Sequence, residues 1–389
     1  MSASVGNGKP TSLIISFSET NRDPRVYRQV EHLKGRFDLT VAGFGNLDIE
    51  GVKHLEMSGI GGSASRKLSR FLQLERGKYL DYLRSTYDFG EVEAAVKRGF
   101  DLIIANDVET LPLAIGGAPG NKVLLDAHEF SPRQIEHQWT WRHLYQPLME
   151  WLCSGYLKKC DAMVTVSYGI SKEYNRVYGV SPRVITNAPK FFDLQPGKPE
   201  SGKVKMIHHG YANALRPMDD LIEVMDHVDG RFSLDLFLIP RDRKYYGKLE
   251  RKVASRKNVR LMKPIEMMDL VPVANAYDIG LFLQRPLNFN FEQSLPNKFF
   301  EFIQSRLMLC VGPLPEMERI VKEFDLGIVS RDYEPINMAE ELNLLTEERL
   351  WHHKQQSSKA AKVHCAEENM KVLDQVIDGM MGYNLSKAP

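Results

Sequence analysis

Ser294-Leu295-Pro296-Asn297-Lys298-Phe299-Phe300-Glu301, followed by the apolar run Leu307-Met308-Leu309-Cys310-Val311-Gly312, sets a helix start beside a buried strand. Residues Ser294 to Asn297 are turn and helix-start types, and Lys298 then falls in the first helical turn. Lys298 and Glu301 are three apart and share a face. A helix entrance carries partial positive charge and free N–H groups, so Lys298 adds to an anion site while Glu301 can accept hydrogen bonds from hydroxyls. That combination suits a phosphate joined to a sugar. An exposed helix with an ordinary i,i+3 ion pair would produce the same residues, and the segment alone does not separate the two.

Outward from this unit the chain keeps alternating short β-type runs with helical patterns. Ser12 to Phe17, Leu39 to Phe44, Leu102 to Ala105, Val123 to Asp126, Met163 to Val166 and Val184 to Thr186 are apolar and lack polar alternation, as parallel strands covered on both faces do. A Pro, Gly and charge-rich stretch follows, Leu194 to Gly202, and reads as a linker. The alternation then restarts with Val204 to Ile207, Leu234 to Leu238, Val259 to Met262, Ile279 to Leu283, Leu307 to Val311 and Gly327 to Val329. The predicted fold class is therefore α/β, with two Rossmann-like, doubly wound parallel-sheet domains facing a central cleft. Residues 1–192 form the N-terminal domain, 193–202 the linker and 203–365 the C-terminal domain. Residues 366–389 form a helical tail that completes the second core or crosses back to the first. Gly61 to Ser65 is expected to be a mobile loop.

At 389 residues with 43 % hydrophobic and 26 % charged content, the chain is too long for one core of usual size. Its 51 Lys and Arg nearly balance 50 Asp and Glu, so no global field attracts nucleic acid, and anions must be held locally. Cys153, Cys160, Cys310 and Cys365 form no CxxC pair and sit in apolar settings, which fits reduced thiols and a cytoplasmic location. The N-terminus lacks an apolar signal core and no run approaches a membrane span, so any membrane contact is peripheral, at the inner face.

Open parallel sheets bind ligands beyond the carboxyl ends of their strands, which directs attention to strand-to-helix loops. In Ser18 to Arg25, Asp23 is a candidate N-cap and Pro24 a first-turn residue. No glycines are present for close approach of a pyrophosphate, which counts against a dinucleotide-dependent dehydrogenase. Arg22 and Arg25 either face an anionic or hydroxyl-rich acceptor or are solvated surface cations. Asp126-Ala127-His128-Glu129 ends another strand, and His128, with a free pKa near neutrality, is the candidate base or hydrogen-bonding group between two carboxylates. Asn106-Asp107-Val108-Glu109 offers an acid-x-acid spacing, but a single pair without further ligands favours a capping role for Asp107. Trp139, Trp141, Trp151, Phe130 and Tyr145 lie near Arg142, Lys158 and Lys159; such stripes are more often core than membrane anchors.

In the second half, His208-His209-Gly210 follows the first strand, and Arg216-Pro217 opens a helix. Gly210 permits a tight backbone and Arg216 can reach a phosphate. Adjacent strand residues point to opposite faces, so His208 and His209 are not expected to share a metal. Lys263 to Glu266 either pairs with a base edge or forms a plain turn.

Taken together, Asp23-Pro24-Arg25, Asp126-Ala127-His128-Glu129, Val164 to Ser167, Ile185-Thr186-Asn187, His209-Gly210 and Leu295 to Glu301 resemble, in order and spacing, the GT-B glycosyltransferases, most of all the bacterial group 1 enzymes, also called family 4. The resemblance spans about Ile14 to Val329. It implies a metal-independent transferase without a cofactor, in which a nucleoside-diphosphate sugar meets a glycan or lipid-linked acceptor in surface-glycan synthesis, with retention of configuration. By position, Ser294, Pro296, Asn297, Lys298, Glu301, Gly210 and Arg216 correspond to the donor site, with Lys298 and Arg216 on the diphosphate and Glu301 on ribose hydroxyls. His128, Glu129 and Asp126 take catalytic positions, and Asp23 and Arg25 lie on the acceptor side. Gln293 stands where the family's Glu-x7-Glu motif has its first glutamate, and the glycine pair usual in the first loop is missing. A nucleotide-sugar epimerase, or a silent relative serving as a binding or assembly subunit, are the competing expectations.

Overall fold

The computed structural model describes residues 8–215 and 217–382, and they form two units. The first runs to Ile185 and takes in Asn288–Asn290 and the chain from Met370 on; the second holds Thr186–Leu287 and Phe291–Asn369.

In the first unit seven strands, β1 (Thr11–Glu19), β2 (Asp38–Phe44), β3 (Val52–Met57), β4 (Leu102–Asn106), β5 (Lys122–Ala127), β6 (Ala162–Thr165) and β7 (Arg183–Val184), lie in the order β3-β2-β1-β4-β5-β6-β7. Every pairing is parallel. Successive residues of β1 go to opposite faces: Leu13 and Ile15 join one apolar cluster, and Ile14 joins another. Helices must cover both faces, so the strands read as unbroken apolar runs. β3 escaped the sequence reading because it is an edge strand whose Lys53 and Glu56 interrupt the pattern.

The second unit repeats the design with β8 (Val204–Ala212), β9 (Phe232–Pro240), β10 (Val259–Met262), β11 (Ile279–Phe282), β12 (Met308–Val311) and β13 (Gly327–Val329), in the order β10-β9-β8-β11-β12-β13, again all parallel. β8 is longer than expected: His208, His209 and Gly210 pair with Leu236, Phe237 and Leu238 and so lie inside the strand, not after it. Gly280 on β11 lets the helix Asn297–Gln304 pack closely, since a Cβ there would fall 2.3 Å from the Phe302 ring.

Two segments differ from their expected character. Ser63 caps the helix Ala64–Glu75 by accepting from the Arg66 N–H, so the small-residue cluster ends in a helix start at Ala64 and Ser65, while Gly61 and Gly62 lie in an exposed loop. The proline-rich stretch after Ile185 has no regular structure, yet it is fastened within the second unit: buried Arg306 donates to the carbonyls of Phe192 and Leu194, and Asn275 donates to that of Gln195. The C-terminal pattern is two helices, Glu347–Ala360 and Ala366–Met381. Leu373 and Ile377 of the latter join the cluster that holds Val26, Val30, Leu33 and Phe37.

Candidate functional site

Within the second unit, the candidate donor residues gather at the carboxyl edge of the sheet. Pro296 is the N-cap of Asn297–Gln304, and its side chain has no acceptor for the first N–H groups. Ser294 does not cap the helix either; its hydroxyl donates to the Phe291 carbonyl. The helix therefore presents its positive end, with Asn297 half-buried beside it. From the first turn of this helix, Lys298 reaches back to β8, where its Nζ lies 3.0 Å from His208 Nε2.

The protonation of His208 follows from its other nitrogen. Nδ1 lies 2.8 Å from the Leu281 carbonyl oxygen, which can only accept, so Nδ1 carries the hydrogen and Nε2 offers its lone pair to Lys298. Burial and then the Lys298 charge hold the His208 imidazole well below its usual range, which keeps it neutral. The ammonium also stands over the Phe282 ring at 5.4 Å. Gly210 makes room for it: its φ is 135°, and a Cβ would come 2.9 Å from Lys298 Nζ.

Glu301 takes the neighbouring histidine. Its Oε2 is 3.4 Å from His209 Nε2, a nitrogen that is buried and has no hydrogen-bond partner. Burial and Lys298 depress the His209 pKa as well. Arg216 lies outside the described residues. Gln293 is half-buried and Glu292 exposed.

In the first unit, Asp23 is the N-cap foreseen for it. It accepts from the N–H groups of Arg25 and Val26 at the start of Pro24–Leu33, and its other oxygen takes the Ser18 hydroxyl. Arg25 is no solvated cation. It is 7 % exposed, makes a bidentate pair with Asp126, itself 1 % exposed, and donates to the Ile185 carbonyl. Asp126, foreseen as a base, is thereby committed to Arg25 and Gln29.

This pair orients His128 through a relay the sequence did not reveal. Because Asp126 accepts from the Gln29 amide NH2, Gln29 Oε1 is left to accept from Asn106 Nδ2, and Asn106 Oδ1 then faces His128 Nε2 at 3.2 Å. His128 Nε2 is the donor. Its Nδ1 is turned to Asp107 Oδ2 at 3.4 Å, and its backbone N–H donates to Asp107 Oδ1. Asp107 does not cap the following 3-10 turn with its side chain, contrary to expectation, and holds a φ of 62° that a non-glycine residue adopts only at a cost. Desolvation pushes the Asp107 carboxyl up while His128 opposes it. Glu109 is pushed up to about 7, first by desolvation and then by Asp107. Glu129 accepts the Tyr174 hydroxyl through its carbonyl.

Two other groupings lie elsewhere. Asp325, His352 and His353 bring ligand atoms within 4.8 Å of one another at the amino edge of the second sheet, where His353 Nδ1 already donates to the Asp325 carbonyl. A shallow hollow lined by Thr11, Asp101, Asn121 and Lys122 lies at the amino edge of the first sheet. Neither touches the residues above.

Neither protein-family models nor curated proteins match the sequence. Solved structures do match the backbone. A sucrose-phosphate synthase from Thermosynechococcus elongatus superposes with a TM-score of 0.71 at 11 % identity, covering 97 % of this chain and 100 % of that one. A glycosyltransferase from Rickettsia africae gives 0.69 at 12 % identity over 97 % and 100 % of the two chains. Anabaena Alr3699/HepE, solved in complex with UDP, gives 0.67 at 11 % identity over 94 % and 100 %. Together with two all-parallel sheets of seven and six strands, these superpositions establish that the chain has the GT-B fold of glycosyltransferases.

Proposed function

We propose that the protein is a glycosyltransferase that moves a sugar from a nucleoside-diphosphate sugar to a hydroxyl acceptor. One observation carries this reading: a lysine fixed by a neutral histidine beside an uncapped helix N-terminus, with a glutamate one turn further along. Ammonium and helix end together suit a diphosphate, and they would stabilise the charge that develops on the leaving group without a metal. Glu301 would accept from the ribose hydroxyls. The backbone likeness to proteins solved with UDP supports a uridine diphosphate donor.

On the acceptor side, His128 and Asp107 form the group that would meet the incoming hydroxyl. In a retaining transfer the leaving phosphate takes the acceptor proton and His128 orients the hydroxyl. In an inverting one the His128–Asp107 pair would be the base. Retention, a glycan or lipid-linked acceptor and a role in bacterial surface-glycan synthesis are parts of the proposal that rest on the sequence resemblance.

A panel of nucleoside-diphosphate sugars, followed by calorimetry with UDP, GDP and ADP, tests it. Transfer or slow hydrolysis of one donor is expected, and Lys298→Ala should abolish nucleotide binding while the fold stays intact. Unchanged affinity in that variant would refute the donor-site assignment. Tight binding without any turnover would favour the silent-subunit reading that Gln293 raises.

A further inference from the structure

At the amino edge of the second sheet, the edge opposite the donor residues, Asp325, His352 and His353 each bring a ligand atom within 4.8 Å of the others. Among the described residues no other three His, Cys, Asp or Glu side chains converge in this way. Asp325 ends the helix Pro315–Phe324 in a left-handed conformation, with φ 55° and ψ 49°. Glycine or asparagine is the ordinary residue there, and a carboxylate meets the negative end of the helix dipole, so the position calls for a positive partner. What faces it is two imidazoles, which are lone-pair donors, from adjacent positions of the helix Glu347–Ala360. Neighbouring side chains on a helix diverge by about 100°. Both rings nevertheless reach the one carboxylate: His352 Nε2 lies 2.7 Å from Oδ2 and His353 Nδ1 3.4 Å from Oδ1. His353 is buried, and its turn of helix is pinned by Lys354, which donates to the Tyr277 carbonyl and to Asp278.

A fourth group completes the set. Gln356, one turn after His352, puts its amide 3.3 Å from His352 Nε2. With the amide nitrogen at that point the contact fails, because Nε2 donates to the Asp325 carboxylate and has no lone pair left for an N–H. Turning the amide over puts its oxygen there instead, as a ligand. Tetrahedral zinc with bonds of about 2.0–2.1 Å holds its ligand atoms about 3.3–3.4 Å apart. That is the spacing of His352 to Gln356 and of His353 to Asp325.

We propose that Asp325, His352, His353 and Gln356 bind a divalent transition-metal ion of the zinc class, which clamps the end of one helix to the side of the other. Two imidazole nitrogens, a carboxylate and an amide oxygen suit such an ion, whereas magnesium and calcium take shells of oxygen. On binding, the hydrogens of His352 Nε2 and His353 Nδ1 leave to solvent, and the lone pairs so freed go to the ion. The Asp325 carbonyl oxygen, 2.9 Å from His353 Nδ1, then faces the ion in place of that hydrogen. The site shares no residue with the donor or acceptor groups, so the inference does not depend on the transferase reading.

Calorimetric titration of the untagged full chain with zinc, after dialysis against a chelator, tests it. One strong site per chain is expected, with a higher thermal midpoint in the presence of zinc and no response to magnesium. Asp325→Asn keeps a residue suited to the left-handed backbone while removing the charge. It should weaken zinc binding by about tenfold or more, as should His352→Ala and Gln356→Ala. Cobalt(II) should give the intense visible absorption of a four-coordinate ion, lost in His352→Ala. Circular dichroism and nucleoside-diphosphate affinity should be unchanged in all three variants. No zinc uptake by the parent chain would overturn the inference, and so would the faint cobalt spectrum of a six-coordinate ion. Zinc affinity that survives both Asp325→Asn and His352→Ala would do the same, since it would place the uptake on other histidines.

Discussion

Lys298 Nζ sits 3.0 Å from His208 Nε2, and the hydrogen on the opposite ring nitrogen is held by the Leu281 carbonyl. The histidine is therefore an obligate acceptor, which holds the lysine side chain in one place at the helix end. Replacing His208 by Phe removes the acceptor and leaves the charge. Nucleoside-diphosphate affinity should fall by roughly five- to thirtyfold, the equivalent of about 1–2 kcal/mol for one charge-assisted hydrogen bond. Calorimetry that shows the same affinity would mean that Lys298 needs no positioning.

Gly210→Ala addresses the same ammonium from the other side. Its φ of 135° is a backbone region that L residues rarely enter, and the added methyl would meet Lys298 Nζ at 2.9 Å. A loss of about 1–3 kcal/mol in chemical denaturation is expected together with weaker nucleotide binding. Stability equal to the parent would contradict the backbone conformation described for β8.

Arg25 and Asp126 are a buried pair, so removing one partner strands the other. Asp126→Ala should destabilise by about 3–5 kcal/mol, and Arg25→Met with Asp126→Leu should recover most of it. If the double variant is as unstable as the single, packing and not charge is what the site supplies. The double variant should still lose catalytic efficiency, because the Gln29 and Asn106 relay that orients His128 has lost its anchor.

Glu109 supplies a pH test. Its carboxyl is raised to about 7 in the folded protein from an ordinary value of 4.5, so the folded state holds a proton the unfolded chain has released. Stability from this group is present below about pH 4.5 and is lost as pH rises through 7. Glu109→Gln should flatten that decline between pH 5 and 8, as read by urea midpoints. An unchanged slope would place the ionisation elsewhere.

Much of this architecture was legible because parallel strands covered on both faces need continuous apolar runs, which is why twelve of the thirteen strands among the described residues are readable and β3, with its polar edge pattern, is not. Lys298 and Glu301 were legible from helix-start chemistry. In the sequence His208 is only half of a histidine pair unsuited to sharing a metal; its partner Lys298 lies ninety residues away, a distance no local pattern spans. The local pattern at Asp107 suggests a cap for a similar reason, since its partner His128 comes from the end of the next strand. The hydrogen-bond relay from Arg25 to His128 is purely tertiary, and none of its residue types signals the arrangement.

The helix that begins at Ala366 ends up covering Val26, Val30, Leu33 and Phe37, residues made long before it. During synthesis the first sheet must wait, with that apolar face uncovered, until the residues that follow Ala366 have been made. A nascent chain halted at Ile185 should therefore recruit chaperones and resist independent folding, even though it already holds all seven strands of its sheet.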